Sequence, residues 1–187
     1  MTKLSDIALI YTGYNPRSSA SKKLQAVEFI VPKCLDSGWS ESITVNIPEK
    51  YCNYLRSGDI LVKSRGDVYS AKVFMAENRK RHYVASSTLL VVRPTNEMYS
   101  SFYISQIINS DTAQQTLKRS SDGKVASAIS PSNLGDMDCP FVPVEQQMEL
   151  EKIGTLMDEY KTISDQYIKL WGKFMQGLRQ QIIKGVK

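Results

Sequence analysis

From residue 146 to residue 183, apolar side chains recur at three- and four-residue spacing without a break. Ile153, Leu156, Tyr160, Ile163, Tyr167, Leu170, Phe174 and Leu178 fall on one stripe, with Met157, Trp171, Met175 and Ile182 beside it. This is the a/d pattern of a helix that needs a partner helix. At 1.5 Å per residue such a helix runs roughly 50 Å, longer than a domain of this size is wide. The chain is therefore expected to pair a small head with a rod, the rod setting a separation and the head touching a target. Gly154, Gly172 and Gly177 each cost the helix about 1 kcal/mol, which close helix approach would offset.

Charge along this stretch is segregated. Glu149, Glu151, Asp158, Glu159 and Asp165 come first; Lys169, Lys173, Arg179, Lys184 and Lys187 follow with no acid among them. The macrodipole favours that order at helix ends, but its influence fades within a turn and the asymmetry here spans the rod. Laid antiparallel on a copy of itself, the acidic half meets the basic half, with the crossing near Tyr167. The sequence thus predicts an antiparallel homodimer through Ile153, Leu156, Tyr160, Ile163, Tyr167, Leu170, Trp171, Phe174 and Leu178.

The chain has 187 residues and 42% hydrophobic content, enough for one compact domain plus an accessory element. A boundary at residue 142 divides a head, 1–142, from the helix, 143–187. No apolar run reaches membrane-spanning length and the first residues lack a basic-then-apolar layout, so a soluble cytoplasmic protein with no membrane partner is expected. Cys34, Cys52 and Cys139 are widely spaced with no CxxC pair, and His82 is the only histidine. A disulfide framework, a metal site and most histidine-based catalysis are disfavoured. The net charge of +5 permits nucleic-acid binding without demanding it.

The head reads as mixed α and β, so the whole is α+β: a small mixed domain followed by a long coiled-coil helix. Strand-like runs are 42–47, 59–63, 71–76, 82–85 and 88–93. Helices are expected at 99–108 and from Asp111 to about Lys118, then a polar loop over 119–132 and a short strand over 137–142. Pro143 launches the long helix. Four loops mix cations with polar or aromatic residues: one with Tyr14, Asn15 and Arg17; one with Lys63, Arg65 and Tyr69, running on to Lys72; a tip at 79–83; and one with Arg119, Ser121 and Lys124. Phosphate anchoring by Lys and Arg beside base-edge reading by Arg, Asn and Ser uses these side chains. The named residues of the first, second and fourth loops, with Lys72, are the DNA contacts the sequence suggests. No GxGxxG, P-loop, GxSxG or HExxH motif is present, and Asp59 and Asp67 lack the companion Glu-x-Lys of a nuclease.

Several segments, in order, resemble the DNA specificity subunits of Type I restriction-modification systems. Leu4-Ser5-Asp6-Ile7-Ala8 followed by Thr12-Gly13-Tyr14-Asn15-Pro16 is similar to that family's opening. Ser57-Gly58-Asp59-Ile60-Leu61-Val62-Lys63-Ser64-Arg65-Gly66 resembles its most specific segment. Ser127-Ala128-Ile129-Ser130, Leu134 and Pro143-Val144-Glu145-Gln146-Gln147 resemble its passage into a conserved helix. The resemblance implies a non-catalytic subunit with one target-recognition domain, a half-length form whose second helix comes from another copy. Its implied partners are double-stranded DNA, a DNA methyltransferase subunit that binds S-adenosylmethionine, and a restriction motor subunit in systems that have one; the chain itself would hold no cofactor. The rival reading is a coiled-coil adaptor or inhibitor whose head binds protein.

Overall fold

The computed structural model describes residues 2–16, 23–121 and 128–184. It divides into two compact units, Met1–Gln147 and Met148–Lys187.

The first unit is organised around a four-stranded antiparallel sheet in the order β1-β7-β4-β5: β1 (Ala8–Thr12), β7 (Leu89–Pro94), β4 (Ile60–Lys63) and β5 (Ala71–Val73). Its two central strands read as unbroken apolar runs because both faces are covered. Ile60, Val62, Leu90 and Val92 pack with α1 (Leu4–Ile7), α3 (Ser101–Asn109), α4 (Asp111–Ser121) and α5 (Pro131–Gly135). Leu61, Leu89 and Val91 face the other way, onto α2 (Cys34–Ser37), Trp39 of the 3₁₀ turn Trp39–Glu41, and Phe74.

A second sheet, β3-β2-β6, joins β3 (Ile43–Pro48), β2 (Leu24–Ile30) and β6 (Tyr83–Ala85), with β2 and β6 parallel. The strand β2 was absent from the sequence reading. Its run is interrupted by Gln25 and Glu28, and both are satisfied only in three dimensions. Glu28 is 8% exposed yet receives bonds from Arg81 Nη1 at 2.6 Å and Ser42 Oγ at 2.8 Å.

Two further expectations are corrected. The stretch 119–132 is not a continuous loop: α4 continues to Ser121, and α5 opens at Pro131 with Ser130 and Asn133 capping each other. The apolar stretch 137–142 is not a strand. Pro140 and Pro143 have no N–H to give a ladder, and the segment is held by single bonds instead: Leu4 N to Met137 O at 2.9 Å, Cys139 N to Thr2 O at 2.8 Å, and Tyr103 Oη to Pro140 O at 2.9 Å.

Asp59 is structural. Its carboxylate accepts Arg93 Nε and Nη2, each at 2.7 Å, and the Arg56 N–H at 2.8 Å, closing the turn that starts β4.

The long helix α6 (Val144–Lys184) begins one residue after Pro143, whose carbonyl accepts the N–H groups of Gln146 and Gln147 at 3.0 and 3.1 Å. Gln147, 1% exposed, fixes the first turn: its amide accepts from Ser100 N and donates to Met98 O and Val142 O.

Within α6 the seam residues of the sequence reading are exposed, from 37% at Leu178 to 75% at Tyr160. Among the described residues no helix is long and apolar enough to cross a membrane, and no group of three or more His, Cys, Asp or Glu could hold a metal ion.

Candidate nucleic-acid interface

Two of the polar loops meet at one turn, Ser86-Ser87-Thr88, between β6 and β7, and a third pairs with the second of them. The first loop arrives through Tyr14, which bridges Ser86 in parallel. Tyr14 N donates to Ala85 O at 2.7 Å, and Ser87 N donates to Tyr14 O at 2.9 Å. Gly13 makes this approach possible: a Cβ there would sit 2.1 Å from Ser86 O, so any side chain would push the loop away.

The second loop arrives through Ser64, whose N–H and hydroxyl both donate to Thr88 O, at 3.1 and 2.8 Å. Gly66, at φ 114°, turns the chain directly after Arg65 in the left-handed region that favours glycine. The third segment follows α4. Arg65 bridges Ala128 in antiparallel fashion, and Ile129 N donates to Ser64 O at 2.9 Å. Ser86 Oγ and Thr88 Oγ1, 2.7 Å apart, complete the turn. The polar turn thus fixes the Tyr14 and Arg65 segments relative to each other, and the Arg65 segment in turn holds Ala128.

Around this junction Arg65 and Asn15 are exposed, as is Arg119 in the last turn of α4. Arg17 and Lys124 lie outside the described residues. Ser121 closes α4, and its side chain is likewise outside the description.

The remaining sequence-suggested contacts have other surroundings. Tyr69 is 1% exposed within the main core cluster, its N–H donating to Gln114 Oε1 at 2.9 Å, so it presents no surface to DNA. In an irregular loop no periodicity marks which side chain turns inward, and Tyr69 joins the core cluster that also holds Ala71 and Ile108. Lys63 Nζ is bound to the Asp36 carboxylate at 2.9 and 3.0 Å. Lys72 Nζ reaches Leu35 O at 3.3 Å and lies 5.6 Å from the Trp39 ring centre. These two ammonium groups hold α2 and the 3₁₀ turn against the sheet.

Tyr14 is half-buried and belongs to a ring series with Tyr51 and Tyr54, on which His82 stacks. Burial pushes the Tyr51 hydroxyl up to about 12. The tip at 79–82 lies at the far end of β6 from the Ser86 turn, and Arg81 there is committed to Glu28.

The turn at 86–88 was the feature sequence reading missed. Its signal was a polar Ser-Ser-Thr break between two strand-like runs.

No protein-family model and no curated protein matches the sequence. Several solved structures are similar. One, from work on complex assembly and conformational transition of the type I R-M system, aligns with a TM-score of 0.62 at 17% identity, covering 87% of this chain and 43% of that one. The HsdS subunit from Thermoanaerobacter tengcongensis aligns with a TM-score of 0.54 at 20% identity, covering 86% of this chain and 38% of its own. The chain spans less than half the length of either. At these identities the likeness establishes the fold, a mixed α/β head with a long C-terminal helix, which is the fold of a specificity subunit.

Proposed function

We propose that the chain is a non-catalytic DNA specificity subunit of a Type I restriction-modification complex. The head reads a short half-site through the loops held at Ser86-Ser87-Thr88, with Arg65 as the central cation and Asn15 and Arg119 as further contacts. Arg17 and Lys124, on the same loops in sequence, complete the proposed contact set. α6 pairs antiparallel with a second copy and docks DNA methyltransferase subunits, which bind S-adenosylmethionine; a restriction motor subunit joins where the system has one. Two heads related by a two-fold axis read a bipartite palindrome.

The observation that carries this reading is that the Tyr14 loop and the Ser64-Arg65 loop both bond to one turn, with the Ala128-Ile129 segment paired to Ser64-Arg65, in a fold shared with an HsdS subunit. A surface built to bind a phosphate backbone places its cations on a rigid support, so that ordering costs little on binding.

The test is retention of duplex DNA by the full chain, with and without a methyltransferase, across a salt series. Retention should fall steeply with salt, and Arg65→Glu should lower both affinity and slope, each phosphate contact contributing about 0.9 to the slope. Selection from random duplexes should return a two-part palindrome. A flat salt response and unchanged retention in Arg65→Glu would sink the proposal and favour the protein-binding adaptor.

A further inference from the structure

The α6 seam carries enough pattern to fix how a second copy lies on it, not merely that one does. Written as heptads, position a falls on Ile153, Tyr160, Tyr167 and Phe174, and position d on Leu156, Ile163, Leu170 and Gly177. The flanking e row is Leu150, Met157, Ser164, Trp171 and Leu178; the g row is Lys152, Glu159, Gln166, Lys173 and Gln180. In an antiparallel pair a faces d of the other helix, e faces e and g faces g. Every apolar a and d residue, with Leu150, Met157, Trp171 and Leu178, is more than a third exposed, so the face is open along its length.

We propose that the partner of α6 is a second copy of this chain, antiparallel, in the single register whose two-fold axis passes between Ser164 and Gln166. This deepens the homodimer of the proposed function and rests on that reading.

In this register Ile163 packs on Tyr167 of the other copy, Tyr160 on Leu170, Leu156 on Phe174, and Ile153 enters the space beside Gly177. A side-chain carbon built at Gly177 meets nothing within 4 Å, so the room is there. Each aromatic ring meets an aliphatic residue, and no ring meets a ring. The e row closes on itself in the same setting, Met157 against Trp171 and Leu150 against Leu178. The g row sets Glu159 against Lys173 twice, once on each side of the axis, with Gln166 against itself.

The neighbouring registers fail on the same residues. Slipping one heptad one way puts Phe174 opposite Glu149 and Lys152 opposite Lys173. Slipping the other way puts Ile153 opposite Lys184 and separates Glu159 from Lys173. A parallel pair sets g against e, so Glu159 would face Ser164 and Lys173 would face Leu178, with no ion pair formed. Complementary charge on the flanks is what specifies orientation and register when the seam alone is permissive.

The test uses the full chain. Glu159→Lys and Lys173→Glu should each weaken self-association by roughly tenfold or more, since two attractive contacts become repulsive. Mixed together, the two variants should form a heterodimer in preference to either homodimer, because every flank contact is then opposite in sign. A general loss of helix stability could not produce that rescue.

A spin label at Gln176→Cys in a Cys52→Ser background should report an axial separation of about 33 Å at 1.5 Å per residue. One heptad of slippage moves that value by about 10 Å, and a parallel pair brings the labels level. A monomeric chain, a chain that pairs only with a different protein's helix, a distance of a slipped or parallel pair, or absence of heterodimer preference each overturns the register. The same variants assayed for DNA retention keep the two proposals apart. Retention with a wrong register leaves the DNA reading intact, and the right register without retention leaves only the pairing.

Discussion

The head and α6 dispose of their apolar residues in opposite ways. In the head Ile60, Leu61, Val62, Leu89, Leu90, Val91 and Val92 are sealed on alternate faces of one sheet, each at most 1% exposed. In α6 residues of the same kind stand open to solvent, Leu156 at 64% and Ile163 at 65%. Burial of apolar area drives both folding and association. The head has used this driving force on itself, whereas the apolar residues of α6 remain exposed. Helices gain most of their stability from packing an apolar face, and the 41-residue α6 leaves that face exposed.

The sharpest way to break that contrast is to damage one region and ask whether the other responds. Asp59→Ala removes the acceptor of two Arg93 bonds and of the Arg56 N–H, and leaves a guanidinium that also serves Tyr54 O at 2.8 Å without its counter-ion. The expected loss is about 3–5 kcal/mol of head stability, the range for breaking a buried pair. Denaturant titration should show it. Self-association through α6, measured by sedimentation below the melting point, should be unchanged.

Gly13→Ala comes next. The new Cβ collides with the Ser86 and Ala85 carbonyls at 2.1 and 2.5 Å. Overpacking of this kind costs roughly 1–3 kcal/mol. Because the collision falls on the turn that gathers the polar loops, DNA retention should drop by more than the loss of folded protein explains. Equal losses would mean that the turn supports the fold and nothing else.

Leu156→Ala should have the smallest effect on the head, within about 0.5 kcal/mol, as expected for an exposed substitution. It should nevertheless weaken the dimer measurably, since Leu156 would lose its contact with Phe174 of the second copy. A dimer indifferent to Leu156→Ala would show that the open face serves some other partner.

What could be read from the sequence follows the same division. β4 and β7 were legible because a strand covered on both faces is a plain apolar run, and α6 because its spacing repeats over many turns. β2 was not, because Glu28 is tolerated only through Arg81, 53 residues away in sequence. Among the suggested DNA contacts, Arg65 and Arg119 are exposed. The contacts of Lys63 and Lys72 with Asp36 and Trp39 were not legible, because those partners lie 27 or more residues away and composition carries no trace of such pairing. Loop chemistry was legible, but the turn that joins the loops was not. Its hydrogen bonds run through backbone atoms, which every residue has.

Alkaline pH offers a finer probe of the sealed region. Burial raises the Cys139 thiol from 9.0 to about 11 and the Tyr51 hydroxyl from 10.0 to about 12. Both groups are neutral when protonated, so a raised value means that the folded head holds the proton more tightly than the unfolded chain. Their contribution to stability is therefore complete below pH 9 and declines as pH rises through 11 for Cys139 and 12 for Tyr51. Tyr51 is only half-buried, so its part of the decline should be shallow. Thermal melts of the head should be level from neutrality to pH 9 and fall beyond it. Cys139→Ala should remove the earlier part of the fall and Tyr51→Phe the later part, each variant carrying its own baseline cost. A fall unaltered by either substitution would assign the alkaline sensitivity to other groups and show that these two sites are less sealed than their packing indicates.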